Sequence, residues 1–111
     1  MIVNCIIDEN SIRWHNEKGR EFVVDISASD KMLFNEKQIL CISKDNETAW
    51  AFDENGDYCE LNNSDNLYIM YLSKFSNCLA VVASYKDETG HWTDYNYVCD
   101  GKQFRRTTPT R

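Results

Sequence analysis

A chain of 111 residues with 42% hydrophobic and 13% aromatic side chains fits one domain with a packed core of its own. Its net charge of −6 and pI near 4.8 exclude the basic footprint that sequence-independent nucleic-acid binding needs, and they work against docking on anionic membranes. Such a charge favours a cationic partner, or serves solubility alone.

The chain opens on an apolar run, Met1-Ile2-Val3-Asn4-Cys5-Ile6-Ile7, that meets Asp8-Glu9 before it is long enough for a signal-peptide core. No later run approaches transmembrane length. Stretches rich in Ile, Val, Tyr, Phe, Trp and Thr alternate with polar clusters, and their period of two predicts strands. In chain order these are 2–7, 12–15, 20–27, 38–43, 48–53, 58–61, 67–72, 78–85, 92–99 and 103–106. Between the third and fourth lies a longer loop through Asp30, where Lys31-Met32-Leu33-Phe34-Asn35 has room for one helical turn capped by Asp30. The four glycines, Gly19, Gly56, Gly90 and Gly101, each fall inside a polar cluster and mark turns. Residues 1–106 therefore read as a single all-β domain, an antiparallel meander of about ten strands. Residues 107–111 read as a frayed tail.

The meander carries an approximate repeat. "IRWHNEKGREFVVDI" (12–26) matches "TAWAFDENGDYCEL" (48–61) in a Trp, a polar cluster ending in Gly, and an aromatic soon after it. "YVCDGKQFRR" (97–106) repeats the latter half, and an apolar strand precedes each unit. The period is roughly that of a propeller blade, a four-stranded meander. Ten strands give too few blades to close a ring, so the expectation is an open, partial-propeller stack, with a β-sandwich or small barrel as the alternative.

Within the second unit, Asp53-Glu54-Asn55-Gly56-Asp57 resembles the front of a calcium loop. The bidentate Glu due at the twelfth position is replaced by Ser64, so the stretch reads as a hairpin bend instead. Asn-Gly there predicts a turn with positive φ at both residues.

Catalytic signatures are absent: there is no C-x-x-C, H-E-x-x-H, P-loop or G-x-S-x-G. Neither histidine, His15 or His91, stands at metal-ligand spacing, and no cofactor or metal is expected. The five cysteines, Cys5, Cys41, Cys59, Cys78 and Cys99, are spread singly and read as reduced thiols on inward-facing strand positions in a cytoplasmic protein. A small-molecule site or minor enzyme built on His91 and Cys99 is one alternative; a structural adaptor completing a partner's sheet is another.

The carboxylates cluster at turns. Asp and Asn belong there because they bond their own backbone, but Glu17, Glu47, Glu54 and Glu88 are not explained that way. Strand alternation across the ten predicted strands places 16–19, 44–47, 62–65 and 86–90 on one rim, with both rims acidic. Trp92 and Tyr95 lie close by, suited to anchoring Lys or Arg from a partner. The candidate contacts are Asp45, Glu47, Asp87 and Glu88 with Trp92 and Tyr95, and then the Asp53, Glu54 and Asp57 tip. Trp14 and Trp50 recur in the repeat and read as core. The basic end "QFRRTTPTR" reads as a bridge to the acidic body.

With its hairpins "RWHNEKG" and "AWAFDENGD", its acidity and its lack of a catalytic motif, the chain resembles bacterial immunity proteins of contact-dependent growth inhibition systems, those built as open sheet stacks. The resemblance implies a non-enzymatic monomer that binds a cognate toxin domain one to one, commonly a basic nuclease, and contacts neither nucleic acid nor membrane itself.

Overall fold

A computed structural model describes residues 1–110. Eleven strands follow one another: β1 (Val3–Ile7), β2 (Ser11–His15), β3 (Glu21–Asp25), β4 (Ser29–Phe34), β5 (Gln38–Ser43), β6 (Thr48–Asp53), β7 (Tyr58–Asn62), β8 (Leu67–Phe75), β9 (Cys78–Lys86), β10 (Trp92–Asp100) and β11 (Gln103–Pro109). They form three antiparallel meander sheets: sheet I is β1-β2-β3, sheet II is β4-β5-β6-β7, and sheet III runs β8-β9-β10-β11. The all-β expectation holds, and no barrel closes. The extents, 50 × 27 × 20 Å, are those of an open row of sheets.

Sheet II is the middle layer, and its sequence says so. In QILCIS of β5, every residue after Gln38 is buried, because each face of the strand has a neighbour. Ile39 and Cys41 face sheet I and join Ile2, Ile12, Trp14 and Ile26 in one cluster. Leu40 and Ile42 face sheet III and join Ala49, Ala51, Cys59, Ile69, Leu79, Val81, Ala83 and Tyr97 in the other. A fully buried Leu, Ile or Val contributes about 1.5–3 kcal/mol, so the second, larger cluster makes the II–III interface the stronger joint.

Sheet I meets sheet II through an aromatic pair and a turn. Trp14 is fully buried and stacks on Phe22 with ring centroids 5.7 Å apart, and its Nε1 donates to the Glu54 carbonyl at 2.8 Å. Gly56 in that turn has φ of +82°, and a Cβ there would lie 3.0 Å from the Phe22 ring. Gly56→Ala is therefore expected to destabilise by more than about 1 kcal/mol, read as a lower urea midpoint at unchanged slope. The turn itself differs from the expected type: among its residues only Gly56 has positive φ, and Asp53 Oδ1 accepts from the amides of Asn55 (2.8 Å) and Asp57 (3.0 Å). This is a longer loop closed by a left-handed glycine, with Asp53 supplying an acceptor that a two-residue turn lacks.

Two further expectations are corrected. Residues 29–34 are strand β4, not loop or helical turn, because Met32 and Leu33 pair with Cys41 and Leu40 and cover the edge of β5. Residues 107–109 are not frayed: β11 runs to Pro109, paired opposite Tyr95, and Thr110 N donates to Asp94 O at 3.0 Å. Arg111, the last residue of the expected tail, lies outside the described residues.

Candidate protein-binding surface

Consecutive turns of a meander fall at opposite ends of the molecule, so the extra strand β4 inverts the parity of every turn relative to 8–10 and 16–19. Rim one collects the turns at 8–10, 26–28, 44–47, 63–66 and 87–91. Main-chain hydrogen bonds tie them in sequence: Ile26 N to Asn10 O (3.0 Å), Lys44 N to Ala28 O (2.8 Å), Asn63 N to Glu47 O (2.8 Å) and Lys86 N to Asn66 O (2.9 Å). The turn 16–19, expected beside 44–47, lies instead on rim two, where Asn16 Nδ2 donates to Asn55 Oδ1 at 2.9 Å.

This redistribution separates the charge, which the ten-strand alternation had left acidic at both ends. The turns of rim one carry Asp8, Glu9, Asp45, Glu47, Asp65, Asp87 and Glu88, all exposed, against Lys44 alone. Those of rim two carry Glu17, Glu36, Glu54 and Asp57 against Lys18, Arg20, Lys37 and Lys102. Rim two is balanced, and rim one carries the acidity.

The sequence-predicted residues divide accordingly. Asp45, Glu47, Asp87 and Glu88 come together on rim one, while Asp53, Glu54 and Asp57 lie on rim two. The ten-strand alternation puts Asp8 and Glu9 at the opposite end, and β4 brings them to rim one; Asp65, on the same rim under either count, is not among the candidate contacts.

Some of these acids already have work. Asp45 Oδ1 accepts from Ser43 Oγ at 2.6 Å and Glu47 N at 3.0 Å, and these bonds, the hydroxyl first, hold its carboxyl below the usual aspartate range. Asp87 Oδ1 takes the Thr89 hydroxyl at 2.6 Å, Thr89 N at 2.9 Å and His91 N at 3.0 Å, with the same effect. Each uses Oδ1 alone, so both charges stay fixed on the rim. On rim two, Glu54 is lowered chiefly by its bond to the N-terminal amine, which neutralises it locally. Asp8 is paired with Arg13 at 2.9 Å.

The expected aromatic anchors are also engaged. Lys86 Nζ lies 5.6 Å from the Trp92 ring, and the Arg106 guanidinium sits 4.7 Å from both Tyr85 and Tyr95. Within the basic C-terminal segment, Arg106 thus docks on aromatic rings, whereas Arg105 Nε pairs with Asp100 Oδ2 at 3.5 Å. Trp92 keeps an exposed face, at 44%; Tyr95 is half-buried.

The cysteines depart from expectation. Cys59 and Cys99 form a disulfide between β7 and β10, whereas Cys5, Cys41 and Cys78 are free. Their separation of 40 residues leaves no local signature, which is why single thiols were expected. Cys41 is buried, and desolvation pushes its thiol up to about 11, away from nucleophile chemistry. His91 precedes β10 and Cys99 stands near its far end, about 25 Å along at roughly 3.3 Å per residue, so the two do not share a pocket. Among the described residues, no three His, Cys, Asp or Glu side chains converge as a metal would require, and no helix is long and apolar enough to cross a membrane.

Compared with known proteins, the chain matches no family model, no curated protein and no solved structure.

Proposed function

We propose that this protein is an immunity protein, a cytoplasmic inhibitor that binds a cationic toxin domain, of the nuclease kind, one to one and occludes it. The observation that carries the reading is rim one: its turns carry seven exposed carboxylates against Lys44, with Arg13 paired to Asp8 and Lys31 Nζ donating to Asn46, and these turns are bound to one another through the backbone. A nuclease site is positive because it holds phosphates. A prearranged row of carboxylates matches it without the entropy cost of ordering loops. A standard interface takes roughly 800 Å² from each partner, a minor share of this protein's 6967 Å² surface.

The test uses the toxin domain encoded beside this chain's gene, with growth rescue on co-expression and stopped-flow association as readouts. Glu9, Glu47, Asp65 and Glu88 have no side-chain role in the turns, so their joint reversal to lysine leaves the rim folded. It is expected to slow association by about 10–1000-fold at low salt, with the difference shrinking as salt rises. Reversal of Asp57 on rim two leaves the rate unchanged. A toxin bound equally fast by the rim-one variant, or not bound by the unaltered protein, refutes the reading.

A second reading, an adaptor that completes a partner's sheet, draws on sheet I. That sheet has three strands where its neighbours have four, and Val3, Ile6, Ile7 and Val23 are 36–61% exposed on it. Self-association rising with concentration in sizing chromatography favours this reading over the first.

A further inference from the structure

Between sheets I and II lies a cleft of about 190 Å³ that the rim-one argument does not use. Its floor is an aromatic stripe. Phe52 and Tyr58 stand directly opposite on β6 and β7, with ring centroids 5.7 Å apart; two residues along, Trp50 stands opposite Glu60. Directly opposed residues share a sheet face, so all four project on the side towards sheet I. The Trp50 Nε1 donates to Glu60 Oε1 at 3.0 Å, which fixes the indole and sets a carboxylate at its edge. Asp25 closes the mouth from the end of β3, its Oδ1 accepting from the Ser27 amide at 2.9 Å, a bond that holds its carboxyl below the usual aspartate range. Tyr58 is 56% exposed, so the cleft is open from outside.

We propose that this cleft receives the cationic head of a basic side chain, arginine above all, presented by a partner protein. Aromatic faces attract a cation through their quadrupoles, and Asp25 in the cleft wall supplies the counter-charge, while Glu60 beside the indole accepts from Trp50 Nε1 and, at 3.1 Å, from Asn62 Nδ2. Arginine is favoured because its guanidinium is flat, stacks on rings and sheds water more readily than an ammonium. The chain uses this pairing within itself: Arg20 lies 5.1 Å from the Phe22 ring, and Arg106 is shared by Tyr85 and Tyr95. None of the cation–ring pairs among the described residues involves Trp50, Phe52 or Tyr58. The cleft would give the proposed inhibitor a specific anchor beside its general charge, but the inference does not depend on the partner being a toxin.

The probes are N-acetyl-arginine methylamide, its lysine counterpart and the uncharged norleucine counterpart. Each is titrated into the folded protein while the three indole N–H signals are followed by NMR. The arginine probe should shift the Trp50 signal saturably, with a dissociation constant on the order of millimolar, and leave Trp14 and Trp92 in place. The lysine probe should bind a few-fold more weakly and norleucine not at all. Tyr58→Ala and Asp25→Asn should each weaken the arginine probe by about three- to tenfold; both positions are exposed, and asparagine keeps the acceptor for the Ser27 amide. The four-residue reversal on rim one should leave this titration unchanged, which separates failure of the cleft from failure of the inhibitor reading. A non-saturable response, equal shifts from norleucine, or full binding by Tyr58→Ala overturns the proposal.

Discussion

Trp14→Ala is expected to lower the unfolding free energy by about 3–5 kcal/mol, the range for deleting a fully buried aromatic. The site cannot collapse easily, because its walls are strands from two sheets. The indole also carries the bond to the Glu54 carbonyl, so its removal leaves a part-buried acceptor unpaired as well as a cavity. Trp14→Phe keeps the stack on Phe22 and should lose markedly less. A domain of this size has only about 5–15 kcal/mol in hand. The loss should appear first in sheet I, which is fastened to sheet II through the smaller of the two core clusters. Hydrogen exchange checks this: protection of β2 amides falls in the alanine variant, while β9 amides are affected only through global unfolding. A change under about 1 kcal/mol in urea titration would mean that the I–II joint does not rest on this ring.

What could be read from sequence follows the range of the interactions. Strands β5 and β6 were predicted at their observed bounds, 38–43 and 48–53, because alternation and local turn residues define them. The repeat correctly implied blade-like meanders, since each unit is bounded by its own glycine turn. β4 was missed because Lys31-Met32-Leu33-Phe34 does not alternate cleanly; its identity comes from pairing with β5, a tertiary fact. That single omission moved Asp8 and Glu9 to the wrong rim and hid the charge asymmetry. The polar end of β11 was missed for the same reason, since only pairing with β10 makes Thr107 and Pro109 strand residues. Trp14 and Trp50 look equivalent in the repeat, yet Trp14 of sheet I is sealed against sheet II and Trp50 lines an open cleft. Which of two repeated residues is covered depends on how the sheets overlap, and the pattern along one sheet does not contain that.

The Cys59–Cys99 bond carries the other large effect, and it bears on where the protein works. Closing a loop of 40 residues removes denatured-state entropy worth about 4 kcal/mol in the chain-entropy account. Oxidised protein should therefore exceed the Cys59→Ala/Cys99→Ala variant by about that amount in urea titration, plus the small packing loss that the variant suffers at Cys59. Peptide mapping without reductant should recover the 59–99 link, with Cys5, Cys41 and Cys78 free. Equal stability of the two forms would mean that the link does not constrain the chain. The bond pins the edge of sheet II to sheet III near the β10–β11 turn, which belongs to rim two, the end opposite the acidic turns. Reduction should accordingly lower stability while leaving rim one, and any partner bound there, with unchanged affinity at temperatures where the protein stays folded. This matters for the proposed cytoplasmic role, because reducing compartments disfavour disulfides. An inhibitor whose charged face is held by backbone bonds at one end can lose a cross-link at the other and still bind. A loss of toxin affinity on reduction, without unfolding, would instead place the working surface at rim two.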